Sequence, residues 1–259
     1  MGQRVPEVRG CVLDLSGVLH VGSTPLPDAR EALAQLRRLP LALRFLTNTS
    51  RTPHAALLCQ LNQMGFDIPA AELFTAPLAT RAVLQRRRLR PYLLIHPHLR
   101  PDFVGLSTRT PNAVVVGDAG RYFTYRRLNT ALRLLMDGAP LFAIANNRYF
   151  MGDDGLNLDA GAFVAGLEYA AGCSAEVLGK PAPGIFLEAC AHMGLPPASV
   201  VMVGDDVQAD VLGALDAGLQ AALVRTGKFR EADLQQLAGR APVHDDLNAF
   251  VKYLSAAMG

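Results

Sequence analysis

The chain has 259 residues, half of them hydrophobic and 19% charged, which is enough for one large domain or two smaller ones with a real core. A formal net charge of +2 supplies neither a basic nucleic-acid face nor a membrane-binding surface. No uncharged apolar run reaches the roughly 18 residues of a membrane span.

In chain order, short apolar runs alternate with amphipathic helical patterns. Arg4, Glu7 and Arg9 stand where a signal peptide needs an apolar core, so a cytoplasmic protein is expected. "CVLDL" (11–15) reads as the first buried strand. A helix over "DAREALAQLRRL" leads to a strand at "LALRFLT" (41–47). Thr52-Pro53 opens a helix over "PHAALLCQLNQMG", and Gly65 closes it. The run "RRRLR" (Arg86 to Arg90) ends another helical pattern, where basic residues suit the dipole, and reads as a solvated face. "YLLIH" (92–96) and "AVVVGD" (113–118) are strands; Gly138 closes the helix "TYRRLNTALRLLMDG" before the strand "LFAIAN" (141–146). "DAGAF" (159–163) opens a helix whose first amides suit an anion. "AEVLG" (175–179), the helix "PGIFLEACAHMG" closed by Gly194, and the strands "VVMVGD" (200–205) and "AALVRT" (221–226) complete the series. The cysteines Cys11, Cys59, Cys173 and Cys190 form no C-x-x-C pair and read as small buried hydrophobes in a reducing compartment.

Continuous Val/Ile/Leu strands separated by helices predict an α/β protein with parallel sheets covered on both faces. Ligands in such folds bind beyond the carboxyl ends of the strands, where the chain order reverses. The polar residues at those ends sort into two sets. If there are two sheets, Asp14, Thr47, Lys180 and Asp205 belong to one, and His96, Asp118 and Asn146 to the other. The first set contains a carboxylate followed by a flexible "SGVL" turn, a hydroxyl and amide at Thr47-Asn48, a lysine in "GKPAPG", and the acidic cluster Asp205, Asp206 and Asp210 in "GDDVQAD". Each alone is an ordinary turn or helix cap. Together they suit Mg²⁺-assisted phosphoryl transfer, with cations neutralising phosphate while a carboxylate attacks it.

The motifs "DLSGVL", "TNTS", "GKPAPGIF" and "VGDDVQAD" resemble, as a set and in order, the four signatures of the haloacid dehalogenase superfamily of phosphohydrolases. The gap of more than 100 residues between the second and third resembles the type II capped branch. The resemblance runs essentially from end to end. It implies a Rossmann-like parallel-sheet core, residues 1–76 and 177–259, with an inserted α/β cap over 77–176. It implies Asp14 as nucleophile and Mg²⁺ ligand, the Ser16 carbonyl and Asp205 as further ligands, and Thr47 and Asn48 as phosphate contacts. Lys180 then steadies nucleophile and phosphate, and Asp206 or Asp210 holds Lys180 or metal-bound water.

Ser16 departs from the commoner superfamily pattern, in which a second Asp acts as general acid and base. A serine hydroxyl cannot protonate a leaving group near neutral pH, which forfeits help worth roughly 10²–10⁴-fold. Activated phosphates, namely P–N compounds of the phosphohistidine or phospholysine kind and pyrophosphate, lose least. The expected substrate is therefore such a phosphoamino acid or a phosphorylated small molecule. A phosphatase of sugar or nucleoside phosphates is the enzymatic alternative, and a phosphate-binding protein without turnover is the non-enzymatic one. His20, six residues past Asp14 in "GVLHVG", is either a proton donor on a flap or an exposed loop histidine. His54, His96 and His98 have no motif partner and read as structural or surface residues, and Asp118 as a capping carboxylate. A homodimer is the assembly to test.

Overall fold

A computed structural model describes residues 7–152 and 155–258, so Arg4 of the leader argument lies outside the described residues. In chain order the strands are β1 (Gly10–Asp14), β2 (His20–Val21), β3 (Thr24–Pro25), β4 (Ala42–Thr47), β5 (Leu73–Thr75), β6 (Pro91–Leu94), β7 (Ala113–Val116), β8 (Leu141–Ala143), β9 (Tyr149–Gly152), β10 (Gly155–Leu158), β11 (Glu176–Val177), β12 (Val200–Gly204), β13 (Gln220–Val224) and β14 (Val243–His244). The protein is α/β, and it divides into two compact units. The first comprises Met1–Thr47, Leu58–Phe74 and Lys180–Gly259; the second comprises Asn48–Leu57 and Thr75–Gly179.

The first unit is built on a six-stranded sheet of order β14-β13-β12-β1-β4-β5. From β14 to β4 every neighbouring pair is parallel. All five residues of β1 are buried, and so are all five of β12, which is why both read as unbroken apolar runs. The chain leaves β1 toward β4 on one side and later returns to β12 on the other. The order thus reverses at the carboxyl ends of β1 and β12, where Asp14 and Asp205 stand.

The second unit carries a parallel four-stranded sheet, β11-β8-β7-β6. Leu94, Val114, Val116, Leu141 and Ala143 from this sheet pack with Ala131, Leu135, Ala160, Val164 and Leu167 of the helices Tyr125–Met136 and Ala160–Ala171. Each such large side chain buried contributes about 1.5–3 kcal/mol. Asp159 caps the second helix, accepting the Ala160 N–H at 2.6 Å, so the start expected at "DAGAF" is in place.

Two expectations need correction. The run at 175–179 forms only β11, which pairs with β8 in the second unit's sheet. Lys180 therefore does not sit at the tip of a strand of the first sheet; it opens the first unit's last segment. Nor are all four cysteines buried: Cys11 and Cys190 are, but Cys59, in helix His54–Gln63, is exposed and Cys173 is half-buried. All four are free thiols. Arg86 to Arg88 are exposed, as a solvated face requires. Among the described residues no helix is long and apolar enough to cross a membrane.

Candidate active site

Four of the residues singled out in the sequence meet in the first unit. Lys180 is buried, and its Nζ lies 2.5 Å from Asp14 Oδ1 and 2.6 Å from Asp210 Oδ1, with the Leu46 carbonyl oxygen at 3.4 Å. Burial works against the ammonium charge, but the two carboxylates outweigh it and hold Lys180 above its usual range. Asp14, Asp205 and Asp210 each offer a carboxylate oxygen within 4.8 Å of the others. Burial pushes the Asp205 carboxyl up, and the neighbouring Asp14 and Asp210 charges add to that. Burial also raises Asp210, against the opposing pull of Lys180.

Asp210 stands here rather than Asp206 because of the backbone after β12. Residues Val207–Leu212 form a π-helical turn. Asp206 caps it, its Oδ1 accepting the Gln208 and Ala209 N–H groups at 3.1 and 2.9 Å. The turn carries Asp210 back over the strand end, where its Oδ2 accepts the Asp206 N–H at 3.2 Å. Gly204 makes room: a Cβ there would fall on the Asp210 carboxylate. Of the two acidic residues left open as partners of Lys180, the geometry selects Asp210.

The cluster fits a divalent cation. Three carboxylates face one ammonium, and Asp205 Oδ1 is buried without a hydrogen-bond partner among the described residues. A buried oxygen in that state is costly unless something pairs with it. Oxygen ligands from carboxylates are the donor type that Mg²⁺ takes. Asp210 joins Asp14 and Asp205 within reach of one ion, where the sequence pointed to the latter two and the Ser16 carbonyl.

Thr47 is buried at the end of β4. Asn48 belongs to the second unit, where its Oδ1 lies against Gly179, 2.6 Å from where a Cβ on that glycine would stand. Ser16 is exposed in the turn after β1, bridged through its backbone to His20. His20 is not an exposed loop residue: it is 9% exposed, on the β2–β3 hairpin. Its Nδ1 lies 2.8 Å from the Gly22 carbonyl oxygen, and its Nε2 is buried without a hydrogen-bond partner among the described residues. A carbonyl only accepts, so Nδ1 carries hydrogen and Nε2 of the neutral ring is bare.

In the second unit, Asp118 accepts the Gly120 N–H at 3.0 Å and pairs with Arg51 through Nε at 2.8 Å, the capping role expected of it. His96 accepts the His98 N–H at 3.3 Å and stacks edge-on with Tyr122, as a structural residue does.

Sequence reasoning missed Lys228. Its backbone N–H donates to Asp205 Oδ2 at 2.7 Å, and its Nζ lies 3.5 Å from Asp206 Oδ2. A lysine and glycine just past a strand end in "VRTGKF" were the available signal.

Two family models match the chain, Haloacid dehalogenase-like hydrolase over residues 11–105 and HAD-hydrolase-like over 177–250. The human haloacid dehalogenase-like hydrolase domain-containing protein 2 is 45% identical over 230 residues, 89% of each chain. Human phospholysine phosphohistidine inorganic pyrophosphate phosphatase is 42% identical over 238 residues, 90% of this chain and 88% of that one. Among solved structures, glycerol phosphate phosphatase from Mycobacterium tuberculosis in complex with magnesium superposes with a TM-score of 0.84 at 26% identity, covering 96% of this chain and 79% of that one. With the family models covering most of the chain and phosphatases among its relatives, this chain belongs to the haloacid dehalogenase-like hydrolases and is a phosphatase.

Proposed function

We propose that the enzyme is a Mg²⁺-dependent phosphohydrolase that works through an aspartyl-phosphate at Asp14 and prefers activated phosphates. One observation carries this reading: Asp14, at the switch point of the sheet, is held 2.5 Å from a buried lysine and clustered with two further carboxylates. Asp14 Oδ attacks phosphorus, the bond to the leaving oxygen or nitrogen breaks, and the leaving group departs with the bond's electron pair. Water then hydrolyses the acyl phosphate, which releases phosphate and restores the carboxylate. The Lys180 ammonium aims the Asp14 carboxylate and offsets charge on the phosphoryl oxygens. A bound Mg²⁺, held by Asp14 and Asp205 with the Ser16 carbonyl, would neutralise further phosphate charge and fix the phosphate against the nucleophile. Thr47 and Asn48 serve as phosphate contacts, and Asp206 and Asp210 as supports of the acidic cluster.

In this reading, residues 1–76 and 177–259 are core and 77–176 are cap. The preference for P–N bonds and pyrophosphate follows from Ser16, which leaves no carboxylic acid to protonate a poor leaving group. The human relative named for phospholysine, phosphohistidine and pyrophosphate supports it. The neighbour named for glycerol phosphate makes alkyl phosphates the comparison that matters. Free thiols are in keeping with a cytoplasmic setting, and sizing in solution tests the homodimer.

The test is phosphate release from phosphohistidine, phospholysine, pyrophosphate and glycerol phosphate, with Mg²⁺ and with a chelator. Wild type should need Mg²⁺ and favour the first three. Asp14→Asn should fold and show no turnover; an active, well-folded Asn variant would sink the covalent mechanism.

A further inference from the structure

We propose that the loop Thr226-Gly227-Lys228 is a clamp that positions Asp205 and the Gly17 turn together, and so sets how tightly the site holds a divalent cation; this rests on the Mg²⁺ reading above. In the first unit's sheet β13, β12 and β1 are consecutive. The loop follows β13 and reaches past the end of β12 to the turn after β1. Thr226 Oγ1 donates a hydrogen bond to the Gly17 carbonyl oxygen. Two residues on, the Lys228 N–H donates to Asp205 Oδ2 at 2.7 Å.

Between these two bonds, Gly227 has φ +60° and Gly17 has φ +93°. A Cβ on either glycine would fall on Asp205 Oδ2, so the carboxylate is wedged between two backbones. Side chains other than glycine meet both left-handed strain and collision at each position. The consequence for Asp205 is specific. Its Oδ2 is committed to the Lys228 amide, while its Oδ1 is left buried and without a hydrogen-bond partner among the described residues. A carboxylate free to rotate could present either oxygen; this one is turned to present Oδ1. Thr226, Gly227 and the Lys228 amide are thus positioning residues. They act on a cation through Asp205 and the Gly17 turn, and their contribution is ligand geometry fixed before binding.

The alternative is that the loop only closes the fold, and the two roles separate experimentally. Mg²⁺ is titrated calorimetrically into the full-length wild type, Gly227→Ala, Thr226→Val and Thr226→Ser. Urea unfolding in chelator measures each variant's own stability. Loss of a ligand-orienting partner typically costs about 10–100-fold in metal affinity. Gly227→Ala is expected in that range, Thr226→Val to raise Kd by several-fold, and Thr226→Ser, which keeps the hydroxyl, to bind like wild type. Should Gly227→Ala fail to fold, the Thr226 pair carries the test. A Thr226→Val or Gly227→Ala protein that is destabilised in chelator yet binds Mg²⁺ with the wild-type Kd overturns the clamp alone. A wild type that binds no Mg²⁺ overturns the metal reading and the clamp with it.

Discussion

Lys180 and Asp205 differ in what surrounds them, and their variants should fail differently. Lys180 is already neutralised by two carboxylates. Removing it leaves Asp14 and Asp210 as uncompensated buried charges and strips a cation from the phosphoryl group. Lys180→Ala should lower kcat by about 10²–10³-fold, with excess Mg²⁺ giving little rescue. Asp205→Ala removes the oxygen with no partner, so its defect should shrink as Mg²⁺ is raised; a rate that ignores Mg²⁺ would remove Asp205 from the ligand set. Ser16 has an exposed side chain, so Ser16→Asp can install an acid there. The expected result is a rise in glycerol phosphate turnover relative to pyrophosphate, with general acid help worth roughly 10²–10⁴-fold at full effect. His20→Ala is the control. If wild-type rates do not depend on the leaving group and His20→Ala makes them do so, the proton comes from His20 and the argument from Ser16 is wrong.

At the scale of elements, the π-helical turn after β12 decides which acidic residue serves the site. Gly204→Ala should act as a remote copy of Asp210→Ala, because the added methyl would displace the Asp210 carboxylate from Lys180. Kinetics should show lowered kcat with the helix content unchanged, and wild-type kcat in Gly204→Ala would mean that Asp210 is dispensable. This turn also marks the limit of what the sequence discloses. The strands β1, β12 and β13 are legible because both faces are buried and their runs are unbroken. Asp14 and Asp205 are legible because polar residues at such strand ends are conspicuous, and Lys180 because it stands in "GKPAPG", one of the four motifs in order. Choosing between Asp206 and Asp210 is not possible from spacing, since an α-turn and a π-turn aim position 210 differently. Gly227 and Lys228 escape for another reason: the glycine and lysine in "VRTGKF" are visible, but a contact through the Lys228 main-chain N–H is one that any residue could make. The strands β2, β3 and β14, of two residues each, are too short to leave a period.

For the molecule as a whole, a ligand that binds only the folded chain adds stability by mass action, about 2.7 kcal/mol at a hundredfold excess over Kd. Mg²⁺ should therefore raise the melting temperature of the wild type, and chelator should return it. Asp205→Ala should lose most of that shift while melting normally in chelator. A wild type whose melting temperature ignores Mg²⁺ at millimolar concentration would count against a resident cation.

The first unit is assembled from three separated stretches of chain. Asp14 meets its lysine 166 positions later, and the β12 edge of β1 is covered only by that last stretch. On the ribosome, β1 thus emerges as an apolar strand whose neighbour has not been made. It must wait, open on one side, through the synthesis of an entire second unit. An unpaired strand of this kind invites the wrong partner. The same late arrival that brings Lys180 and Asp205 to the site also closes that edge, so the nascent chain becomes safe from misassociation and competent for chemistry in one step.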